Sequence, residues 1–157
     1  MALASLPHAT RSQVFTALFN TIKTLPPPPN FTSWKTISQF VRSWDDTPAE
    51  NQPAIYLHRL VQTAKQEHRF GVTKWHWTAM IWIYFRSDGY RTSNTYPDQI
   101  TDPIIDSVEQ LFQTDPINDR FTLGGLVHHC WIDGTIYSDP GLEDGQAVIL
   151  VPISILL

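Results

Sequence analysis

With 157 residues, 42% of them hydrophobic, the chain is long enough for one domain with its own core and gives no sign of a second. Charged residues make up only 17%, below the roughly 25% of an ordinary soluble domain, so part of the surface is expected to lie against other subunits. The net charge is −4 and the Lys and Arg residues are scattered, which excludes the basic stripe that tight nucleic-acid binding needs.

Cys130 is the only cysteine, so an intramolecular disulfide is impossible and the chain suits a reducing compartment. Residues 1–7 lack the charged and apolar regions of a signal peptide. No apolar run approaches the ~20 residues of a membrane helix, and no membrane partner is expected.

In chain order, the first element is a helix. Thr10 is placed as its N-cap, and Gln13 stands three residues on, as a capping box requires. Val14, Leu18, Ile22 and Leu25 recur at helical spacing, Phe15 and Phe19 widen the apolar face, and Pro26 ends it. Pro26-Pro27-Pro28-Pro29 predicts a stiff polyproline II spacer. Residues 31–44 carry Trp34, Ile37, Val41 and Trp44 at helical spacing, but their Ser, Thr and aromatic content suits extended chain. Irregular structure with one short strand is expected there.

Strand signals follow a polar loop over 45–52. Residues 54–61 form the first. Residues 72–85 form the second and longest, with Trp75, Trp77, Ala79, Ile81 and Ile83 alternating with Lys74, His76, Thr78, Met80, Trp82 and Tyr84. The polar stretch 62–71 joins the two as a hairpin. A polar loop is expected over 86–96. A second helix then starts with Asp102 as N-cap and Pro103 in its first position, buries Ile104, Ile105, Val108, Leu111 and Phe112, and ends at Asp115-Pro116. Residues 126–137 form a third strand, bent at Gly134. The turn 138–145 leads to the last and most apolar strand, 146–156, in which Pro152 argues for an edge or a bulge. The order predicts an α+β fold: an antiparallel sheet of about four strands with two helices packed on one face.

Little in this pattern carries chemistry. His128, His129, Cys130 and Asp133 are zinc-ligand types, yet neighbours on a strand point to opposite faces. His128 and Cys130 would share a face, with His76 or His58 needed as a third ligand. A small metal-dependent enzyme using His128, Cys130 and Asp133 is therefore the alternative of a different class, and the expectation is no metal, no cofactor and no catalytic residue. Cys130 lies mid-strand between apolar neighbours and reads as a core residue rather than a nucleophile. Leu123-Gly124-Gly125 leads into a strand, so it reads as a turn needing positive φ rather than a phosphate loop. Trp75, Trp77, Trp82 and Trp131 could stack bases but lack a basic lining, and read as core and interface anchors. Asp98, Asp102, Asp106 and Glu109 recur at spacings of four, four and three along one side of the second helix. They read as a solvated face, or as the acidic wall of a channel or docking surface.

The order of segments adds a resemblance. The opening helix over 11–25 is followed by Gln52-Pro53-Ala54-Ile55-Tyr56-Leu57 and by the central strand 77–84. Then come Thr122-Leu123-Gly124-Gly125-Leu126-Val127-His128-His129-Cys130-Trp131-Ile132-Asp133-Gly134 and Gly141-Leu142-Glu143-Asp144-Gly145-Gln146-Ala147-Val148-Ile149-Leu150-Val151-Pro152-Ile153. In that order these segments resemble the tail terminator (tail completion) proteins of long-tailed bacteriophages. The resemblance spans nearly the whole chain; the proline tract and residues 31–44 fall outside it.

What it implies is a virion structural protein in the tail, at the neck junction, assembled in the host cytoplasm. Such proteins form a ring, usually of six subunits, on the head-proximal end of the tail tube; the ring stops tube polymerisation and meets the head connector. Implied partners are further copies of itself, the tail tube protein and a connector or neck protein, with genome DNA passing through unbound. Another neck or tail-tube-like component is the alternative of the same class. The two polar loops place Lys65, Glu67, Arg69, Arg86, Asp88 and Arg91 at a subunit or tube interface. The acidic stripe Asp98, Asp102, Asp106 and Glu109 would face the channel or a neighbour.

Overall fold

The computed structural model describes residues 8–66, 69 and 71–157, apart from the side chains of Arg91 and Thr92. Helix α1 spans Arg11–Ile22. Its capping box forms as the sequence requires: the Gln13 N–H donates to Thr10 Oγ1 at 3.3 Å, and the Thr10 N–H donates to Gln13 Oε1 at 2.8 Å. Two donors at the helix start thus find partners. Val14, Phe15, Leu18 and Ile22 are buried. Beyond the proline tract the chain is tied back, because the Trp34 indole N–H donates to the Leu25 carbonyl at 2.8 Å.

The sheet holds β1 (Thr36–Ser38), β2 (Ala54–Lys65), β3 (Lys74–Arg86), β4 (His129–Ile132), β5 (Tyr137–Asp139) and β6 (Gln146–Leu156). Their order is β1-β2-β3-β6-β4, and β5 also pairs with β6. The fold is α+β, but the sheet has six strands rather than about four. It is also mixed, since β1 runs parallel to β2 while every other pair is antiparallel. The parallel pair escapes a reading of local pattern because β1 is only three residues long. Its pairing depends on residues 39–53 carrying the chain back to the same end of the sheet.

Two strand boundaries also differ from expectation. β2 runs on to Lys65, through residues assigned to the connecting loop, and stays in register with Trp77, His76, Trp75 and Lys74. A bulge between Arg59 and Gln62 inserts one residue, so both side chains lie on the face of Ala79 and Trp77. The single strand expected over 126–137 is two strands, β4 and β5, on the same side of β6. The break falls at Gly134, whose φ is +117°. There the Asp133 N–H donates to the Pro152 carbonyl at 3.1 Å. In an antiparallel ladder a residue's N–H and C=O face the same neighbour, so the N–H that Pro152 lacks would have faced this break. β6 is therefore an interior strand and not an edge; the proline is tolerated where the neighbouring chain bends away.

Three α-helices accompany the sheet instead of two. α2 (Asp88–Thr92) occupies the stretch read as a polar loop, and its Tyr90 hydroxyl donates to the Pro29 carbonyl, fixing the proline tract. α3 (Asp98–Leu111) starts about one turn before the Asp102-Pro103 signal and ends before Asp115. Ile100 and Thr101 are buried, which extends the helix backward, and Pro103 lies inside it. Gln99 Oε1 accepts from the Tyr96 N–H at 3.3 Å just ahead of the helix. Apolar residues of all three helices join Ile55, Leu57, Trp77, Ile81, Ile83, Phe85, Ile149, Val151 and Ile153 in one core. All the helices thus cover one face of the sheet.

The turn before β4 holds Leu123, Gly124 and Gly125 at φ of 50°, 73° and 88°. Gly124→Val and Gly125→Val should each lower stability by roughly 1–3 kcal/mol through backbone strain alone, since open space surrounds both positions. Gly141→Ala should cost more than Gly124→Ala: at φ 71°, its added Cβ would also come within 2.5 Å of the Gln146 backbone. Thermal unfolding of the four variants measures this, and unchanged midpoints would show that these turns carry no constraint.

Candidate functional site

Alternation along β3 and β6 gives the sheet a second face. On it lie Tyr84, Trp82, Met80 and His76 of β3, beside Val148, Leu150, Pro152 and Ser154 of β6. One end of this face is roofed by the chain between β1 and β2. There Ala54, Tyr56 and Tyr84 form a small buried cluster, with Val41, Trp82 and Val148 partly buried against it. Beneath the roof the Gln52 and Gln146 amides bond reciprocally, at 2.9 and 3.1 Å. Gln52 Nε2 also donates to the Thr47 carbonyl at 2.7 Å, and the Thr47 hydroxyl lies 3.2 Å from the Tyr56 hydroxyl. Tyr84 is buried, and burial, then the neighbouring Tyr56, pushes its hydroxyl up to about 12.

Past Trp82 the roof stops. Met80, Leu150 and Pro152 are half-buried and His58 is exposed, with its ring 6.3 Å from that of Trp82. The indole N–H of Trp82 is buried without an acceptor among the described residues, as is that of Trp77 in the core.

Three aromatic rings gather at the far side of this open face. His129 and Trp131, two apart on β4, stack at 4.8 Å, and His76 stacks on Trp131 from β3 at 6.1 Å, both nearly parallel. Between them lies Ser154, which is buried. Its hydroxyl donates to Asp133 Oδ2 at 2.8 Å and lies 3.1 Å from His76 Nε2. A serine hydroxyl has one proton to give; with that proton on Asp133, His76 is the donor to Ser154. The order carboxylate, hydroxyl, imidazole is not that of a nucleophilic relay, where the imidazole stands in the middle and accepts the hydroxyl proton. The bonds instead hold Trp131 flat against two imidazoles, as a rigid aromatic platform. The Phe121 N–H donates to His129 Nδ1 at 3.2 Å, which leaves the proton of the neutral ring on Nε2.

The structure does not bring His128, Cys130 and Asp133 together. Cys130 faces the core, fully buried, and Asp133 bonds Ser154 on the other side of the sheet. His128 stands just before the first ladder pair of β4, with its N–H donating to the Leu156 carbonyl at 2.8 Å, and its side chain is exposed. Among the described residues no three His, Cys, Asp or Glu side chains gather as a metal site. Trp77 is also removed as a stacking surface: it is buried against Phe15, rings 5.4 Å apart. Trp75 is partly buried, 4.6 Å from the Arg11 guanidinium. Trp82 and Trp131 remain on the open face.

Of the residues expected at an interface, Lys65 and Arg69 are exposed. Arg86 instead bonds Asp88, at 2.7 and 3.0 Å, and the Asp144 carbonyl at 3.3 Å. Glu67 and the side chain of Arg91 lie outside the described residues. Asp98, Asp102, Asp106 and Glu109 are all exposed on the outer side of α3. Sequence reasoning missed the link between Ser154, His76 and Asp133. The three residues are far apart in the chain, and only the register of β3, β6 and β4 brings them together. Neither a known protein family nor a curated protein matches this chain.

Burial pushes the Cys130 thiol from 9.0 up to about 12, and likewise the Tyr90 hydroxyl from 10.0 to about 12. The unfolded chain ionises these groups, and Tyr84, well before the folded chain does. Their contribution to stability is whole below pH 9 and is lost as pH rises from there toward 12. Denaturant midpoints should fall over that window, and Cys130 should react with a thiol reagent only as fast as the chain unfolds. Rapid labelling of the native protein at pH 8 would contradict the burial.

Proposed function

We propose that this chain is a structural component of a long-tailed phage virion: a tail terminator that assembles as a ring, with six copies the expected number, on the head-proximal end of the tail tube. In that role it stops tube polymerisation and joins the tail to the head connector. The order of sequence segments supports the family reading. The observation that carries an assembly role is the open sheet face, on which Met80, Trp82, Leu150, Pro152 and Trp131 are half-buried, while the helices among the described residues pack on the other face.

An apolar and aromatic surface of this kind, rimmed by polar residues, marks an interaction site. Its anchors are of the types that dominate interface energies. A neighbour packed head-to-tail would cover that face, and a head-to-tail contact whose rotation closes gives a ring. The acidic stripe of α3, set on a channel or a neighbour, would repel passing DNA rather than hold it.

Imaging of assembled tails tests this reading. The expected result is a closed ring of copies at the head-proximal end of each tube, with tubes of uncontrolled length when the chain is missing. Finding it as single copies, or elsewhere on the particle, would sink the proposal.

A further inference from the structure

Asp115 organises the loop that follows α3. Its carbonyl accepts from the Asn118 and Asp119 N–H groups at 3.2 and 2.8 Å, and its own N–H donates to the Arg120 carbonyl at 3.1 Å. Its two carboxylate oxygens accept from the Ile117 N–H and from Asn118 Nδ2, each at 2.9 Å. The Thr114 hydroxyl donates to Asp119 Oδ1 at 3.1 Å. Much of the polar capacity of this loop is thus turned inward, while Ile117 is held out in water, 89% exposed. A lone exposed apolar side chain is ordinary on a protein surface. This one stands on a loop with little freedom left to lose on contact, and such preorganisation lowers the entropic cost of binding.

The loop lies at a lateral edge of the sheet, because Phe121, which follows it, accepts the Cys130 N–H of the edge strand β4 at 2.8 Å. Arg120 stands at its end, exposed, with its guanidinium in no ion pair or hydrogen bond among the described residues. The open sheet face offers the complement. Met80 and Pro152 are cross-strand partners there, with Leu150 next on the same face of β6, and all three are half-buried. Beside Pro152 lies Asp133, exposed, its Oδ2 bonded to Ser154 and no cation paired to it among the described residues. An apolar knob next to a cation at the sheet edge thus has its counterpart in an apolar patch next to a carboxylate on the face. Within one copy the two do not meet, since Ile117 is almost wholly in water.

We infer that the Ile117 loop of one copy docks on the open sheet face of the next, with Ile117 against Met80, Leu150 and Pro152 and Arg120 paired to Asp133. The inference rests on the ring reading and deepens it, by naming which surface meets which. The contact uses a different surface on each partner, so it passes from copy to copy and closes into a ring where the rotation allows. Burial of Ile117 and the patch supplies the affinity. The ion pair, near the rim, fixes orientation more than it adds strength.

The test reads self-association by sedimentation and native mass measurement over a concentration series. Ile117→Asp should weaken it about tenfold and leave the thermal midpoint unchanged, because the exposed side chain contributes little to folding. Asp115→Ala keeps the knob but loosens the loop, and should weaken association as well. Arg120→Asp and Asp133→Arg should each weaken it by roughly threefold; both in one chain should restore it, since every contact again pairs opposite charges. A second arm does not depend on Asp133, whose bond to Ser154 a substitution breaks. Chains carrying Ile117→Cys, mixed with chains carrying Met80→Cys, should form a mixed disulfide dimer under mild oxidation, the native Cys130 being buried. The inference is overturned if Ile117→Asp associates as the unaltered chain does, or if mixed dimers do not exceed those that either Cys variant forms alone. An unaltered chain that stays monomeric at every concentration, with no mixed dimer trapped, overturns it too. The ring reading is judged apart, by imaging of tails: rings that still form at tube ends with Ile117→Asp in place remove this contact and leave that reading standing. Chains that trap through positions 117 and 80 but are absent from tube ends do the reverse.

Discussion

The register of β3 between β2 and β6 is the constraint on which the rest of the structure depends. The strand is paired along almost all of its length on both sides, so parity alone decides which side chains meet the helices. A slip of one residue would carry Trp77, Ala79, Ile81, Ile83 and Phe85 out of the core and put His76, Met80 and Trp82 into it. The penalty for that exchange falls on both faces at once. The amide pair of Gln52 and Gln146 adds a second lock at one end, because Gln146 Nε2 also reaches the Phe85 carbonyl at 3.3 Å. Three strand ends thus share one buried network. A misregistered sheet would leave two primary amides desolvated without partners, which costs far more than an ordinary hydrogen bond contributes.

Much of this arrangement was legible in the sequence because it is written in local periodicity. The capping box at Thr10, the alternation from Trp75 to Tyr84 and the apolar run from Gln146 to Leu156 each declare an element and its buried side. Where the reading went astray, a non-local contact had overridden a local signal. The Asp102-Pro103 pair has the chemistry of a helix start, yet burial of Ile100 and Thr101 extends the helix past it. Pro152 has the chemistry of an edge residue, yet it sits inside the sheet because the break at Gly134 falls where its missing N–H would have pointed. The candidate site was legible only in part. Trp82 and Trp131 could be named as anchors, but the platform around Trp131 needs His76, Ser154 and Asp133 from three separate segments. No spacing rule links them.

The two faces of the sheet solve the problem of covering apolar surface in different ways. On the helix side, Phe15, Trp77 and Phe85 are sealed by chain that the protein itself provides. On the other side, the roof over Tyr56 and Tyr84 is made of polar loop held by hydrogen bonds from Thr47 and Gln52, and it stops short of Met80. The uncovered remainder is not a smooth apolar patch. His58 and His76 interrupt it, Ser154 and Asp133 bond within it, and Trp131 lies flat between imidazoles. Such a surface tolerates water in the free chain better than a run of leucines would, while keeping rigid aromatic area ready for a partner. Under the proposed assembly role, that combination would let a subunit persist alone before it meets its partners. The hydroxyl–imidazole pair of Ser154 and His76 sends the serine proton to Asp133, so the imidazole is not placed to take it.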